Sequence, residues 1–220
     1  ATLYTAWAHN CLSFLWWIGF DQGSLNYYPF SYNNRASNYG LYREDKTLKP
    51  VGRVIKKFND FQQSFPFEKL PERIKDAVCV LSPHQKTWNV GYSAFILAKQ
   101  AKIDLEFAFL SDEIPDSKVY FMPSIKFTQD IGIDGIDSLM KRVEKGAVLY
   151  LSVASGFVRN LNTDFGFHIN YRENVGGNKK VKLDNEELSL YFEVQYNISI
   201  EDAKVLATDE NGNPVFLKKD

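Results

Sequence analysis

Asp21 follows Trp17 by four residues in the run Phe14-Leu15-Trp16-Trp17-Ile18-Gly19-Phe20-Asp21-Gln22, and a tyrosine-rich loop comes next. Alternate residues of an extended chain share a face, which puts Leu15, Trp17, Gly19 and Asp21 on one side. An indole stacks on the C–H face of a sugar, and a carboxylate accepts hydrogen bonds from its hydroxyl rim. Tyr27 and Tyr28 in the loop offer further ring faces and phenols. Trp17, Asp21, Tyr27 and Tyr28, with Trp16 as the fallback platform, therefore form a candidate carbohydrate-binding set. The competing reading is packing. Phe14, Trp16, Ile18 and Phe20 make an apolar face suited to lie under helices, and Trp17 stands between the two readings.

Other chemistry is less well supported. Ser155, in Val153-Ala154-Ser155-Gly156-Phe157, follows an apolar run where related folds carry a nucleophile, and His84 and His168 could complete a triad. A nucleophile elbow wants glycine two residues either side, and here Val153 and Phe157 occupy those positions. A loop serine is the competing reading. The loop Ser82-Pro83-His84-Gln85-Lys86-Thr87 lacks the glycines that cradle phosphate. Gly176-Gly177 reads as a turn. Asn197-Ile198-Ser199 matches a glycosylation sequon beside a strand. No Cys/His cluster has metal-ligand spacing, and Cys11 and Cys79 read as buried thiols. Retaining glycoside hydrolysis needs two carboxylates about 5–5.5 Å apart, and only Asp21 ends a barrel-like strand. No catalytic residue, cofactor or metal ligand is expected in this chain.

The elements that would position these residues fall into three groups. Leu3–Phe14 has a helical stripe (Tyr4, Trp7, Ala8, Cys11, Phe14), and 14–20 reads as a strand covered on both faces. Gln22–Lys46 is a long aromatic loop. Pro50 then opens a helix with Val51, Val54, Ile55, Phe58 and Phe61 on one face. This order matches the last strand, loop and helix of an eight-stranded barrel, whose mouth carries active sites. The remaining strands are expected upstream, making the chain the C-terminal piece of a larger enzyme.

After a linker over Ser64–Arg73, short apolar strands at 77–81, 105–110, 119–122 (stopped by Pro123) and 147–153 alternate with helices. One helix spans Trp88–Lys102 with Trp88, Tyr92, Phe95 and Ile96 inward; another carries Ile136, Leu139, Met140 and Val143 and ends at Gly146. The alternation implies a parallel sheet covered on both faces, an α/β architecture that resembles a flavodoxin-like or class I glutamine-amidotransferase-like domain. Leu188 to Tyr196 alternates as an antiparallel strand, and a final hairpin turns at Asp209–Pro214. The expected division is a terminal βα barrel part at 1–65, the flavodoxin-like domain at 74–178 and a partial antiparallel β domain at 179–220.

With 45% hydrophobic residues among 220, disorder is disfavoured. The net charge of −1 gives no reason to expect nucleic acid or an anionic membrane as partner. No apolar run reaches the roughly twenty residues that span a bilayer. Any export signal would lie upstream of Ala1, which leaves the compartment open between cytoplasm and periplasm or secretion.

The stretch Phe14 to Pro50 resembles the end of the catalytic barrel in clan A glycoside hydrolases. Leu15-Trp16-Trp17 leading to Phe20-Asp21-Gln22 carries the likeness. So does Gly40-Leu41-Tyr42-Arg43-Glu44-Asp45-Lys46-Thr47-Leu48-Lys49-Pro50, similar to the family's G-L-hydrophobic-x-x-D-G-x-x-K-P pattern with Lys46 where Gly is usual. The barrel end is nearer family five, the cellulases and mannanases. The order of domains, and the stretches Trp88–Tyr92 and Leu97–Ala101, resemble bacterial β-galactosidases of family forty-two. The resemblance implies a retaining β-glycosidase bacterial in type, acting on carbohydrate through two glutamates that lie outside this chain, with Trp17 flooring the sugar site. It also implies an α/β domain that assembles a homo-oligomer. Two alternatives remain: a non-catalytic α/β interaction module, and a Ser155-dependent hydrolase or degenerate amidotransferase-like domain.

Overall fold

The computed structural model describes residues 2–32, 34, 37–126, 133–155 and 161–220. The chain divides into two compact units, Ala1–Arg73 and Ile74–Asp220.

The first unit has two helices, α1 (Thr2–Ala8) and α2 (Pro50–Gln63). The expected helix to Phe14 stops early because Asn10 adopts a left-handed φ of 61° that ends the spiral. Tyr4 and Trp7 of α1 pack edge-on against Phe58, with ring centroids 4.9 and 6.4 Å apart, and Trp7 meets Phe65 at 4.9 Å. Pro50 sits in the first turn of α2, as its missing N–H allows.

The expected strand over 14–20 is a correction: these residues form no strand. A strand needs a ladder, and the pairing here is a single parallel bridge, Phe20 to Tyr42, continued by Tyr42 to Leu48. The run is also uncovered: Leu15 is 94% exposed. Cys11, expected buried, is exposed as well.

The second unit opens with a four-stranded parallel sheet: β1 (Ala77–Leu81), β2 (Leu105–Phe109), β3 (Val119–Ile125) and β4 (Val148–Val153). The spatial order is β2-β1-β3-β4, so β1 is central and entirely buried. Cys79 lies within it, and burial pushes its thiol up to about 12, which removes it as a nucleophile. β3 runs through Pro123 instead of stopping there, with a bulge between Met122 and Ile125 and a left-handed Ser124 (φ 58°). Pro lacks a ladder donor and is tolerated at such bulges.

Each sheet face has its own core. Val78, Val80, Tyr120, Met122 and Ile125 pack with Ile136 and Leu139 of α4 (Ile133–Glu144). α4 ends as expected: Gly146 (φ 100°) lets its own N–H reach the Val143 carbonyl and that of Ala147 reach the Arg142 carbonyl. On the opposite face Ala77, Cys79, Leu81 and Leu105 meet α3 (Thr87–Gln100).

The inward face of α3 is a second correction. Val90, Ala94 and Ala98 lie on the sheet, while Trp88 is 80% exposed and Tyr92 57%. Both stripes have helical spacing, and the small one admits closer approach to the strands.

No helix joins β2 to β3. Arg142 of α4 pins that connection, donating to the Ile114 carbonyl (2.8 Å) and pairing with Asp116, while the Tyr120 hydroxyl donates to the Pro115 carbonyl (3.1 Å).

After α5 (Leu161–Phe165) comes an antiparallel sheet of β5 (Phe167–Leu183), β6 (Glu186–Ile200), β7 (Lys204–Asp209) and β8 (Pro214–Lys218), in order β6-β5-β7-β8. Position 178, the expected domain limit, falls inside β5. Gly176-Gly177, expected as a turn, lies at a bulge between Asn174 and Gly177, with Gly176 at φ 53°. Phe165, Phe167 and Ile169 pack on the α4 side of the parallel sheet. Among the described residues no helix is long and apolar enough to cross a membrane.

Candidate functional site

The candidate sugar platform lies in the first unit. Trp17 is 69% exposed, and among the described residues its indole has no hydrogen bond or ring partner, leaving the face open for stacking. Trp16 is also exposed but committed: its Nε1 donates to the Tyr39 carbonyl at 3.1 Å. Tyr27 and Tyr28 are exposed, paired edge-on with Phe30 (5.5 Å) and Tyr32 (6.1 Å). The loop thus presents rings braced by neighbouring rings.

Asp21 has a different position from the one its spacing implied. Its Oδ1 accepts from Lys49 Nζ at 2.8 Å and from the Gly40 N–H at 2.8 Å, and its Oδ2 from Lys49 at 3.1 Å. Lys49 also donates to the carbonyl (2.7 Å) and Oδ1 (3.1 Å) of Asn38. The Lys49 hydrogen bond, against the opposing pull of burial and helped by Gly40, holds the Asp21 carboxyl below its ordinary range. Asp21 is therefore engaged as a clasp. Together with Trp16 it fixes Asn38-Tyr39-Gly40 onto the start of α2.

Lys49 is the residue sequence reasoning missed. Its signal was available: a lysine directly before the helix-opening Pro50, and a carboxylate at the end of the aromatic run. Gly40 has a steric reason, since a Cβ there would overlap the backbone of Phe20 and Asp21. Lys46, where the motif has Gly, adopts φ 66° in the turn closed by Arg43 and Thr47. Asp45 stabilises that turn by accepting from the Thr47 N–H (2.8 Å) and hydroxyl (2.6 Å), and these bonds lower its pKa.

The alternative nucleophile is not assembled. Ser155 Oγ donates to the Lys126 carbonyl (3.3 Å), and the Ser155 carbonyl accepts from Arg172. His168 sits in β5 opposite Ser199, and the His84 N–H donates to Ser82 Oγ. Neither imidazole hydrogen-bonds Ser155 among the described residues; Gly156 and Phe157 lie outside them. No group of acidic, His and Cys residues able to hold a metal occurs among the described residues.

No family model matches the chain, and no curated protein matches it either. Solved structures do. The exo-β-1,4-mannosidase of Opitutaceae bacterium strain TAV5 superposes with a TM-score of 0.70 at 17% identity, over 93% of this chain and 38% of that one. The β-galactosidase of Bacillus circulans sp. alkalophilus gives 0.70 at 13% identity, over 97% and 36%. The cold-adapted β-galactosidase of Rahnella sp. R3 gives 0.63 at 11%, over 81% and 32%. The chain shares its fold with part of each of these glycoside hydrolases. It spans well under half the length of each.

Proposed function

We propose that this chain is the C-terminal part of a retaining β-glycosidase of mannosidase or β-galactosidase type. In this reading the first unit supplies one wall of the sugar site, and two glutamates elsewhere in the enzyme perform a double displacement without a cofactor. The exposed indole of Trp17, rigidly flanked by the Asp21–Lys49 clasp and the Trp16–Tyr39 bond, carries the reading. An aromatic face held still, with phenols nearby, is what a pyranose needs to stack and hydrogen-bond. The fold shared with a mannosidase and β-galactosidases supports the substrate class.

The second unit then serves assembly. Its strand order β2-β1-β3-β4 supports a flavodoxin-like reading of 74–178, with an antiparallel segment continuing to 220 and a barrel end at 1–65. Homo-oligomerisation belongs to the same proposal.

The test is kinetic, in the full-length enzyme. Trp17→Ala lowers kcat/KM on an aryl β-mannoside or β-galactoside by about 30-fold or more, a loss of about 2 kcal/mol of transition-state binding. Asp21→Asn and Lys49→Met raise KM more than they lower kcat. An unchanged kcat/KM for Trp17→Ala sinks the stacking role, and absence of glycosidase activity from the full-length protein sinks the whole reading.

A further inference from the structure

Strands β1 and β3 part before their carboxyl ends. Their ladder joins Val78 to Tyr120 and Cys79 to Phe121 and goes no further, where Pro123 offers no N–H and the bulge after Met122 turns β3 aside. Side chains replace the missing ladder: Gln85 Nε2 donates to the Pro123 carbonyl (3.1 Å), and the Ser124 N–H donates to Ser152 Oγ (2.8 Å). The strand order β2-β1-β3-β4 reverses at this same pair, and crevices of parallel sheets open outside the carboxyl ends of the strands at such a reversal. A cavity of about 570 Å³ begins there, at Pro123, Ser124 and Ser152, within the roughly 300–1,000 Å³ that small-molecule sites occupy. It runs between α3 and the β3–β4 half of the sheet, from Asn89 to Ala101, about 18 Å of helix. This half of the sheet is covered unequally. Leu149, Leu151 and Val153 of β4 meet the α4 core, whereas Val148 and Tyr150, on the α3 side, are 61% and 39% exposed.

The two ends of this cavity differ in chemistry. At the carboxyl end of the strands stand Asn89, Ser93, Ser124 and Ser152. The Asn89 amide and the Ser93 and Ser124 hydroxyls have no hydrogen-bond partner among the described residues. Ser124 is held at a left-handed φ of 58°, which costs a residue that carries a Cβ, and bulges re-aim side chains beside functional sites. The remaining length is apolar, from Val90 and Leu97 on the helix to Phe121 on the strand and Ile103 at the far end. No charged residue lines any part of it. We propose that this cavity binds a neutral amphiphile, its hydroxyl-rich head at Ser124 and Ser152 and its alkyl tail along α3 toward Ile103. Amides and hydroxyls both donate and accept, which suits a head that carries several hydroxyls. A fatty acid or a phosphate ester does not fit, since its anionic head would be desolvated with no cation in the lining. Leu97, 65% exposed, leaves water when a tail lies against it, and that burial favours binding. The site lies wholly within the second unit and does not depend on glycosidase activity in the full-length enzyme.

The probe is n-octyl β-D-thioglucopyranoside, whose sulfur link resists hydrolysis, titrated below its micelle concentration into the full chain labelled for methyl and amide NMR. The expected result is saturable shifts of the Val90, Leu97 and Ile103 methyls and the Ser93 and Ser124 amides, with a Kd on the order of 0.1 mM, ordinary for a ligand of this size. Glucose, which lacks the tail, and sodium octyl sulfate, which carries a charge, should each bind about tenfold more weakly or worse. Leu97→Arg should weaken binding about tenfold or more at unchanged melting temperature, because that side chain is exposed. Ser124→Gly removes the hydroxyl and relieves the left-handed residue, so it should bind about threefold to tenfold more weakly while melting no lower. Absence of saturable shifts, or shifts confined to Trp88, Gly91 and Phe107 or to the first unit, overturns the site. Equal binding of octyl sulfate overturns the neutral head, and binding untouched by Leu97→Arg overturns the placement of the tail.

Discussion

The two units handle their apolar residues in opposite ways. In Ile74–Asp220 the apolar runs became strands, and the sheet they form is covered by α3 and α4, with Cys79, Met122 and Leu139 fully inaccessible. In Ala1–Arg73 an equally apolar run, 14–20, is largely exposed, and among the described residues there Phe58 is the one large side chain that is buried. Hydrophobicity alone therefore did not create a strand. A ladder partner on each side did so for β1, and its absence left 14–20 with a single bridge. What organises the first unit instead is polar: a lysine, a carboxylate and a glycine.

That contrast can be broken most severely by separating the units. Residues 74–220 expressed alone should melt in one cooperative transition, while 1–73 alone should show no cooperative melting by circular dichroism. A sharp transition in 1–73 would mean that its aromatic helix pair is a sufficient core. Next in size are truncations. Leu139→Ala should cost about 3–5 kcal/mol in denaturant unfolding, and Leu15→Ala no more than about 0.5 kcal/mol. Comparable losses would mean that 14–20 is covered in solution.

A polar counterpart exists in the second unit and sharpens the comparison. Asp209 is buried, and its carboxylate accepts from the Asn211 and Asn213 N–H groups (3.0 and 2.8 Å), from Asn213 Nδ2 (2.9 Å) and from Lys179 (3.1 Å). Burial pushes its pKa up, but the bonds from Asn213, Lys179 and Asn211 outweigh it and the net shift is downward. A depressed folded pKa means stability that is present above the unfolded value of about 3.9 and lost as pH falls below it. Urea midpoints measured from neutrality down to about pH 3 should therefore fall below about pH 4. Asp209→Asn should be less stable at neutral pH by about 2 kcal/mol, from lost charge-assisted bonds, and should show a shallower decline, the lowered Asp21 and Asp45 carboxyls still contributing theirs. A parallel pH profile for the variant would remove Asp209 as its cause. Smallest is Lys46→Gly, which relieves a left-handed lysine and should stabilise by about 1 kcal/mol; a neutral or negative result would show that the Lys46 side chain earns its position through contacts.

What was legible in the sequence follows the same divide. β1, α4 and the Gly146 stop could be read because a buried run, a helical stripe and a left-handed glycine each have one structural solution. β5 escaped because Arg172, Glu173, Lys179, Lys180 and Lys182 interrupt its alternation; a ribbon strand with so much solvent contact carries little apolar signal. The α3 register was misread because large rings were assumed to face inward, whereas Val90, Ala94 and Ala98 do. At the candidate site the aromatic run was legible, and Trp17 is exposed, its stacking role being a proposal. The role of Asp21 was not legible, because a carboxylate's partner 28 residues away is invisible to local spacing.

The β5–β6 pair has one further consequence. Its strands of 17 and 15 residues turn back through Asp184 (φ 50°) and Asn185, and at about 3.3 Å per residue the ribbon is roughly 50 Å long. β7 braces only the part near the turn, through Val181 to Leu183, while Lys126–Glu193 and Arg172–Ser155 fasten its middle to the end of the parallel sheet. Anchored at both places, the hairpin behaves as a strut rather than a tether, so spectroscopic labels at Asn185 and near Phe167 should report one narrow separation instead of a broad distribution.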